Sequence, residues 1–77
     1  MSKLQMIDAA ALEKLLLKLG FLIIRQKGSH VFYRHTDGRY TTLPHHKGTQ
    51  IGRSLLRHIL REINITVEEY IILIKEK

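Results

Sequence analysis

The side chains best able to move protons and hold phosphate crowd into the middle of this chain. Four of its five histidines (His30, His35, His45 and His46) fall between Gly28 and His46. From Arg25 to Arg61 there are eight Lys/Arg and a single acid, Asp37, a local charge of +7 in a chain whose total is +6. Imidazoles set in so concentrated a positive region point to a polyanionic partner and to chemistry on it. No Walker-type loop, Ser-His-Asp order or pair of catalytic carboxylates is present.

His30 is the first candidate. Gly28-Ser29 before it lets the backbone turn, so the imidazole can sit at an accessible edge, and Arg25 and Lys27 lie just upstream. An imidazole with pKa ~6.5 can take or give a proton at neutral pH. RNA carries its own nucleophile, the 2′-hydroxyl. Cleavage then needs a base for that hydroxyl, a cation for charge on phosphorus and an acid for the leaving oxygen, without a metal or other cofactor. In this reading His30 transfers the proton, with Lys27, Ser29 and His45 as supporting residues. The plainer alternative is a hairpin-end histidine satisfied by solvent. His45 and His46 divide the same way, between a second proton-transfer or phosphate-contacting group and two loop histidines. Zinc on His30, His45 and His46 is disfavoured, because no Cys/His spacing motif and no nearby acidic ligand accompanies them.

Phosphate contacts are assigned to Arg25, Lys27, Arg34, Lys47, Arg53 and Arg57. Arg53, Arg57 and Arg61 recur every four residues and so form one row along a helix. Such a row is either a solvated face or an extension of the anion-binding surface at the helix N-terminus. Tyr33 and Tyr40 are either sheet packing or a platform for bases.

These residues need a scaffold, and 77 residues supply one domain, 1–77, with a small core. There is no room for a separate cofactor-binding domain. The chain has no cysteine, hence no disulfide or thiolate site. Its longest wholly apolar run, Phe21 to Ile24, is too short to span a membrane, and the first residues lack a signal-peptide pattern. A cytoplasmic protein is expected.

Asp8 can cap a first helix from Ala9 to Leu19, with Leu12, Leu15, Leu16 and Leu19 on one stripe and Gly20 as its stop. A first strand follows, Phe21 to Gln26. Two more strands flank Asp37-Gly38, a two-residue hairpin signal. A tight turn there pairs Phe32 with Leu43 and His30 with His45, and puts Phe32 and Leu43 on the helix-covered side. Thr49 then caps a second helix, Gln50 to Ile63. The third begins at Thr66 with Glu69 completing a capping box, and buries Val67, Tyr70, Ile71 and Ile74. The expected fold is α+β, in the order α-β-β-β-α-α: a three-stranded antiparallel sheet with helices on one face, the architecture of double-stranded-RNA-binding domains.

Several blocks together resemble the HicA toxin family: Gly20-Phe21, Arg25-Gln26-Lys27-Gly28-Ser29-His30, Asp37-Gly38, Pro44-His45, Leu55-Leu56-Arg57-His58-Ile59-Leu60 and Ile65-Thr66-Val67-Glu68-Glu69-Tyr70. The resemblance covers nearly the whole chain. It implies a small mRNA interferase of a type II toxin–antitoxin system, a metal-independent endoribonuclease whose catalytic histidine is His30. It implies RNA (mRNA) as substrate and a HicB-type antitoxin as the partner that masks the site. Asn64 stands where the family has glycine, and asparagine also tolerates a left-handed backbone. A non-catalytic RNA-binding module and a pure protein-interaction subunit are the alternatives from other classes.

Overall fold

A computed structural model describes residues 4–45 and 48–75. The elements are β1 (Ile7–Asp8), α1 (Ala9–Lys18), β2 (Leu22–Lys27), β3 (His30–Arg34), β4 (Tyr40–Pro44), β5 (Gln50–Ile51), α2 (Arg53–Glu62) and α3 (Val67–Lys75). Strands β2, β3 and β4 form an antiparallel sheet in that order, while β1 and β5 make a separate two-stranded ladder. The architecture is α+β, with the expected α-β-β-β-α-α succession carrying two extra short strands.

The leucines of α1 bury Leu12, Leu15 and Leu16 against Leu56, Ile59 and Leu60 of α2 and the inward residues of the sheet. Asp8 occupies the N-cap of α1 in an extended conformation, although its side chain makes no capping bond. Both α1 and α2 close with the same hydrogen-bond pair. In α1, Phe21 N–H donates to Leu16 O (3.0 Å) and Gly20 N–H to Leu17 O (3.1 Å); in α2, Ile65 N–H donates to Leu60 O (2.9 Å) and Asn64 N–H to Arg61 O (3.1 Å). These are Schellman closures, which need a left-handed residue just past the helix. Gly20 (φ 100) and Asn64 (φ 59) supply it. The capping box of α3 forms: Glu69 N–H donates to Thr66 Oγ1 (3.0 Å), and Thr66 N–H to Glu69 Oε1 (2.9 Å). This contact holds the Glu69 carboxyl below its ordinary range, chiefly through the Thr66 backbone N–H.

Two expectations need correction here. Helix α2 begins at Arg53 and not at Gln50, and Gly52 rather than Thr49 is its N-cap. Gln50 and Ile51 instead pair with Asp8 and Ile7 as β5, which buries Ile51 and ties the start of α1 to the start of α2. In α3, Tyr70 is buried and Val67 and Ile71 are partly so, but Ile74 is exposed and Leu73 packs on the core in its place.

The β3–β4 register also differs by one residue from that of a tight turn. The pairs are Val31 with Leu43, Phe32 with Thr42 and Tyr33 with Thr41. The connection is a three-residue loop, Thr36-Asp37-Gly38: His35 N–H donates to Arg39 O (2.8 Å), and Gly38 N–H to His35 O (2.9 Å). With Gly38 at φ 98, this is a turn followed by a left-handed glycine bulge. Asp37 braces it, accepting from Arg39 N–H (3.0 Å) and Nε (2.8 Å), and those bonds lower its carboxyl pKa. A one-residue slip turns every side chain of a strand over relative to its neighbour. Val31, Tyr33, Thr41 and Leu43 are therefore buried under the helices, and Phe32 faces outward, opposite to the expectation from a tight turn.

Candidate functional site on the open face of the sheet

The turn before His30 is set by its sequence. Lys27 pairs with His30, leaving Gly28-Ser29 as a two-residue loop. Gly28 sits at φ 60, and Ser29 is not among the positive-φ residues. A positive φ at the first loop position alone is the type II′ pattern, which favours glycine there. A Cβ on Gly28 would meet nothing within 4 Å, so the constraint lies in the backbone angle and not in space. His45 N–H then donates to Ser29 O (2.5 Å) and pins this loop to the end of β4.

His30 is exposed at the head of β3. Among the described residues, no hydrogen bond or ion pair holds its imidazole. Directly paired residues share a face, so Lys27 stands beside it with Cβ atoms about 4.5–5.5 Å apart. Further along the same face come Phe32 and Arg34 of β3, with Tyr40 and Thr42 of β4.

Arg25 reaches this face through a bulge. Ile23 pairs with Tyr33, Arg25 pairs with Phe32, and Ile24 is the extra residue between them. In a regular strand Ile23 and Arg25 would point the same way. The inserted residue reverses that alternation and sends Arg25 outward. Its guanidinium carbon lies 5.0 Å from the Phe32 ring centroid. Phe32 and Tyr40 are themselves 6.2 Å apart, tilted by 42°. The face thus gathers Arg25, Lys27, His30 and Arg34 around two aromatic rings, and β2, β3 and β4 contribute no acid to it.

Other site residues go elsewhere. Pro44, not His45, stands across from His30. His45 points to the helix side, where its Nε2 is 3.4 Å from Glu13 Oε1. The expected meeting of His30 and His45 across the hairpin mouth therefore does not occur, because the three-residue loop moved the register. His45 acts on the His30 turn through its backbone bond to Ser29. Arg53 and Arg57 lie on α2, in the layer that covers the opposite face of the sheet. Lys47 and His46 lie outside the described residues. Tyr33 is fully buried and packs, whereas Tyr40 is 43% exposed. Among the described residues, no group of three or more His, Cys, Asp or Glu is gathered as metal ligands would be.

Two structural roles were not legible from spacing. Glu13 of α1 accepts from the Tyr33 hydroxyl at 2.5 Å besides facing His45, and so joins α1 to both ends of the hairpin. Arg39 donates from Nη1 to Ile63 O (2.6 Å) at the end of α2 and stacks over Phe21 at 5.1 Å. Both unite elements distant in sequence, and no local pattern marks such partners. The hollow between α2 and α3, lined by Arg57, Leu60, Arg61, Asn64 and Thr66, includes none of the open-face residues. The site is an exposed surface rather than a cleft.

Fold and site together define a small α+β protein that presents one histidine on an acid-free, cationic sheet face. A sequence model of the family described as HicA toxin of bacterial toxin-antitoxin matches residues 9–65. The chain belongs to the HicA toxin family, the toxin class of a toxin–antitoxin system, and that class implies an antitoxin partner. No individual curated protein matches it. Among the described residues, no helix is long and apolar enough to cross a membrane.

Proposed function

We propose that the chain is a metal-independent endoribonuclease, an mRNA interferase acting in the cytoplasm as one domain, 1–77. The observation that carries this reading is the exposed His30 with Lys27 directly beside it, on a face that also holds Arg25 and Arg34. RNA provides the nucleophile. The 2′-oxygen attacks phosphorus as its proton leaves, and the bond from phosphorus to the 5′-oxygen breaks as that oxygen takes up a proton. The products are a 2′,3′-cyclic phosphate and a 5′-hydroxyl. His30 transfers a proton in this exchange. The Lys27 ammonium offsets charge building on the phosphoryl oxygens, as a fixed cation does best where charge develops. Ser29 and His45 hold the turn that presents His30. Arg25 and Arg34 bind flanking phosphates, Arg53 and Arg57 of α2 add positive charge beyond the sheet, and Lys47 is assigned a further phosphate contact. A HicB-type antitoxin inhibits by covering this face, and charge complementarity would steer it there.

The test is incubation of antitoxin-free protein with single-stranded RNA in chelator, beside His30→Ala. Cyclic-phosphate ends from the wild type alone are expected. Equal cleavage by both proteins removes His30 from the mechanism. Salt-sensitive binding with no product would make the chain a non-catalytic RNA-binding module.

A further inference from the structure

The outward placement of Phe32 leaves a paired aromatic surface that the proton chemistry does not use. Phe32 and Tyr40 sit side by side on the open face. The helices cover the other face, through Tyr33 to Glu13 of α1 and Thr41 to Glu62 of α2. Phe32 already carries a flat cation, the Arg25 guanidinium, on its ring. A π-face that holds a planar group from the solvent side can hold a nucleobase in the same way.

Charge decides which occupant suits this surface. Arg25, Lys27 and Arg34 frame the two rings with no acid among them, which fits a polyanion that also has flat apolar faces. Single-stranded RNA has both. A duplex offers its phosphates but keeps its bases stacked inside, so the two rings would gain nothing from it. An acidic protein would satisfy the cations without needing the rings.

We propose that the open face is a stacking platform for unpaired nucleotides, and that it makes the site selective for single-stranded RNA. This rests on the ribonuclease reading of His30. Phe32 and Tyr40 receive adjacent bases. Arg25 leaves the Phe32 ring for a phosphate when a base takes its place. The rings are set two and four residue pairs along the sheet from His30, so the stacked bases fix which backbone linkage reaches the imidazole.

The experiment uses a short single-stranded 2′-O-methyl RNA carrying one 2-aminopurine, which cannot be cleaved through its blocked 2′-oxygens. It is titrated into the wild type, Phe32→Leu, Tyr40→Leu and Phe32→Tyr, with an unlabelled duplex of the same sequence as competitor. Each Leu variant is expected to bind about tenfold more weakly or worse. Phe32→Tyr should retain affinity, and the 2-aminopurine should be quenched on the wild type but not on Phe32→Leu. The slope of affinity against salt should stay unchanged in the Leu variants, because no phosphate contact is lost. Circular dichroism and thermal melting confirm that the variants are folded. Equal affinity of the Leu variants, or a duplex that competes as well as the single strand, overturns the platform. Cleavage of ordinary RNA by the wild type, run in parallel, keeps the two readings apart. Cleavage that depends on His30 but not on the rings sinks the platform alone. Neither binding nor cleavage by the wild type sinks both.

Discussion

The Tyr33 hydroxyl of β3 donates to Glu13 Oε2 of α1 at 2.5 Å, a side-chain bond that links the underside of the strand that carries His30 to the first helix. Tyr33 has no solvent exposure, and the other carboxylate oxygen of Glu13 faces His45. Burial first, and then the bond to Glu13, push the Tyr33 pKa far above its ordinary value of 10.0.

Tyr33→Phe should therefore cost about 0.5–1.5 kcal/mol at neutral pH, the usual net value of one hydrogen bond. The pH dependence has a definite sign. A raised folded-state pKa means that the folded state keeps a proton which the unfolded state releases, so its contribution is whole below pH 10.0 and is lost as pH rises above that value. Tyr70, raised by burial, acts in the same direction. Denaturant midpoints measured across the alkaline range should fall more steeply for the wild type than for Tyr33→Phe. Parallel curves would show that Tyr33 is not the group responsible.

Gly28→Ala should separate stability from activity at the His30 turn. The left-handed φ of 60 costs an L-residue about 1–2 kcal/mol. Nothing within 4 Å obstructs the new methyl, so that backbone cost is the whole penalty. Cleavage should drop further than stability explains, since the turn sets where His30 points. Gly28→Asn should be milder on both counts, asparagine being more at ease in that region. Chemical denaturation and single-turnover cleavage on the same preparations test this. An Ala variant with full stability and full activity would mean the turn relaxes freely.

Gly20→Ala meets two obstacles that a double-mutant cycle can divide. Gly20 sits at φ 100, and a Cβ there would lie 3.0 Å from His35 Nε2. That nitrogen is also 3.2 Å from Leu19 O, and the ring stands edge-on to Phe21 at 5.1 Å, so it has little room to retreat. The substitution should cost upwards of about 1 kcal/mol in the wild type. It should cost less in a His35→Ala background, where only the backbone strain remains. Strict additivity of the two melting-temperature shifts would show that the imidazole simply moves aside.

Much of this protein was legible one segment at a time. The α1 leucine stripe with Gly20, the Thr66–Glu69 box, the left-handed Asn64 and the Gly28-Ser29 turn are local features, and each residue type performs there the task its chemistry suits. Composition alone located the cations and placed His30 among them. What sequence could not decide was which side of the sheet each residue occupies. Asp37-Gly38 can serve a two-residue turn or the last two positions of a three-residue loop, and the choice inverts the pairing of β3 with β4. The buried space under the helices accepts Val31, Tyr33, Thr41 and Leu43 together, and Tyr33 finds Glu13 there, which selects the longer loop. The Ile24 bulge has the same character. It leaves no local signature, yet it turns Arg25 onto the face of His30. Local chemistry determined the elements and singled out the candidate residue. Packing, which acts between residues far apart in the chain, determined the company that residue keeps.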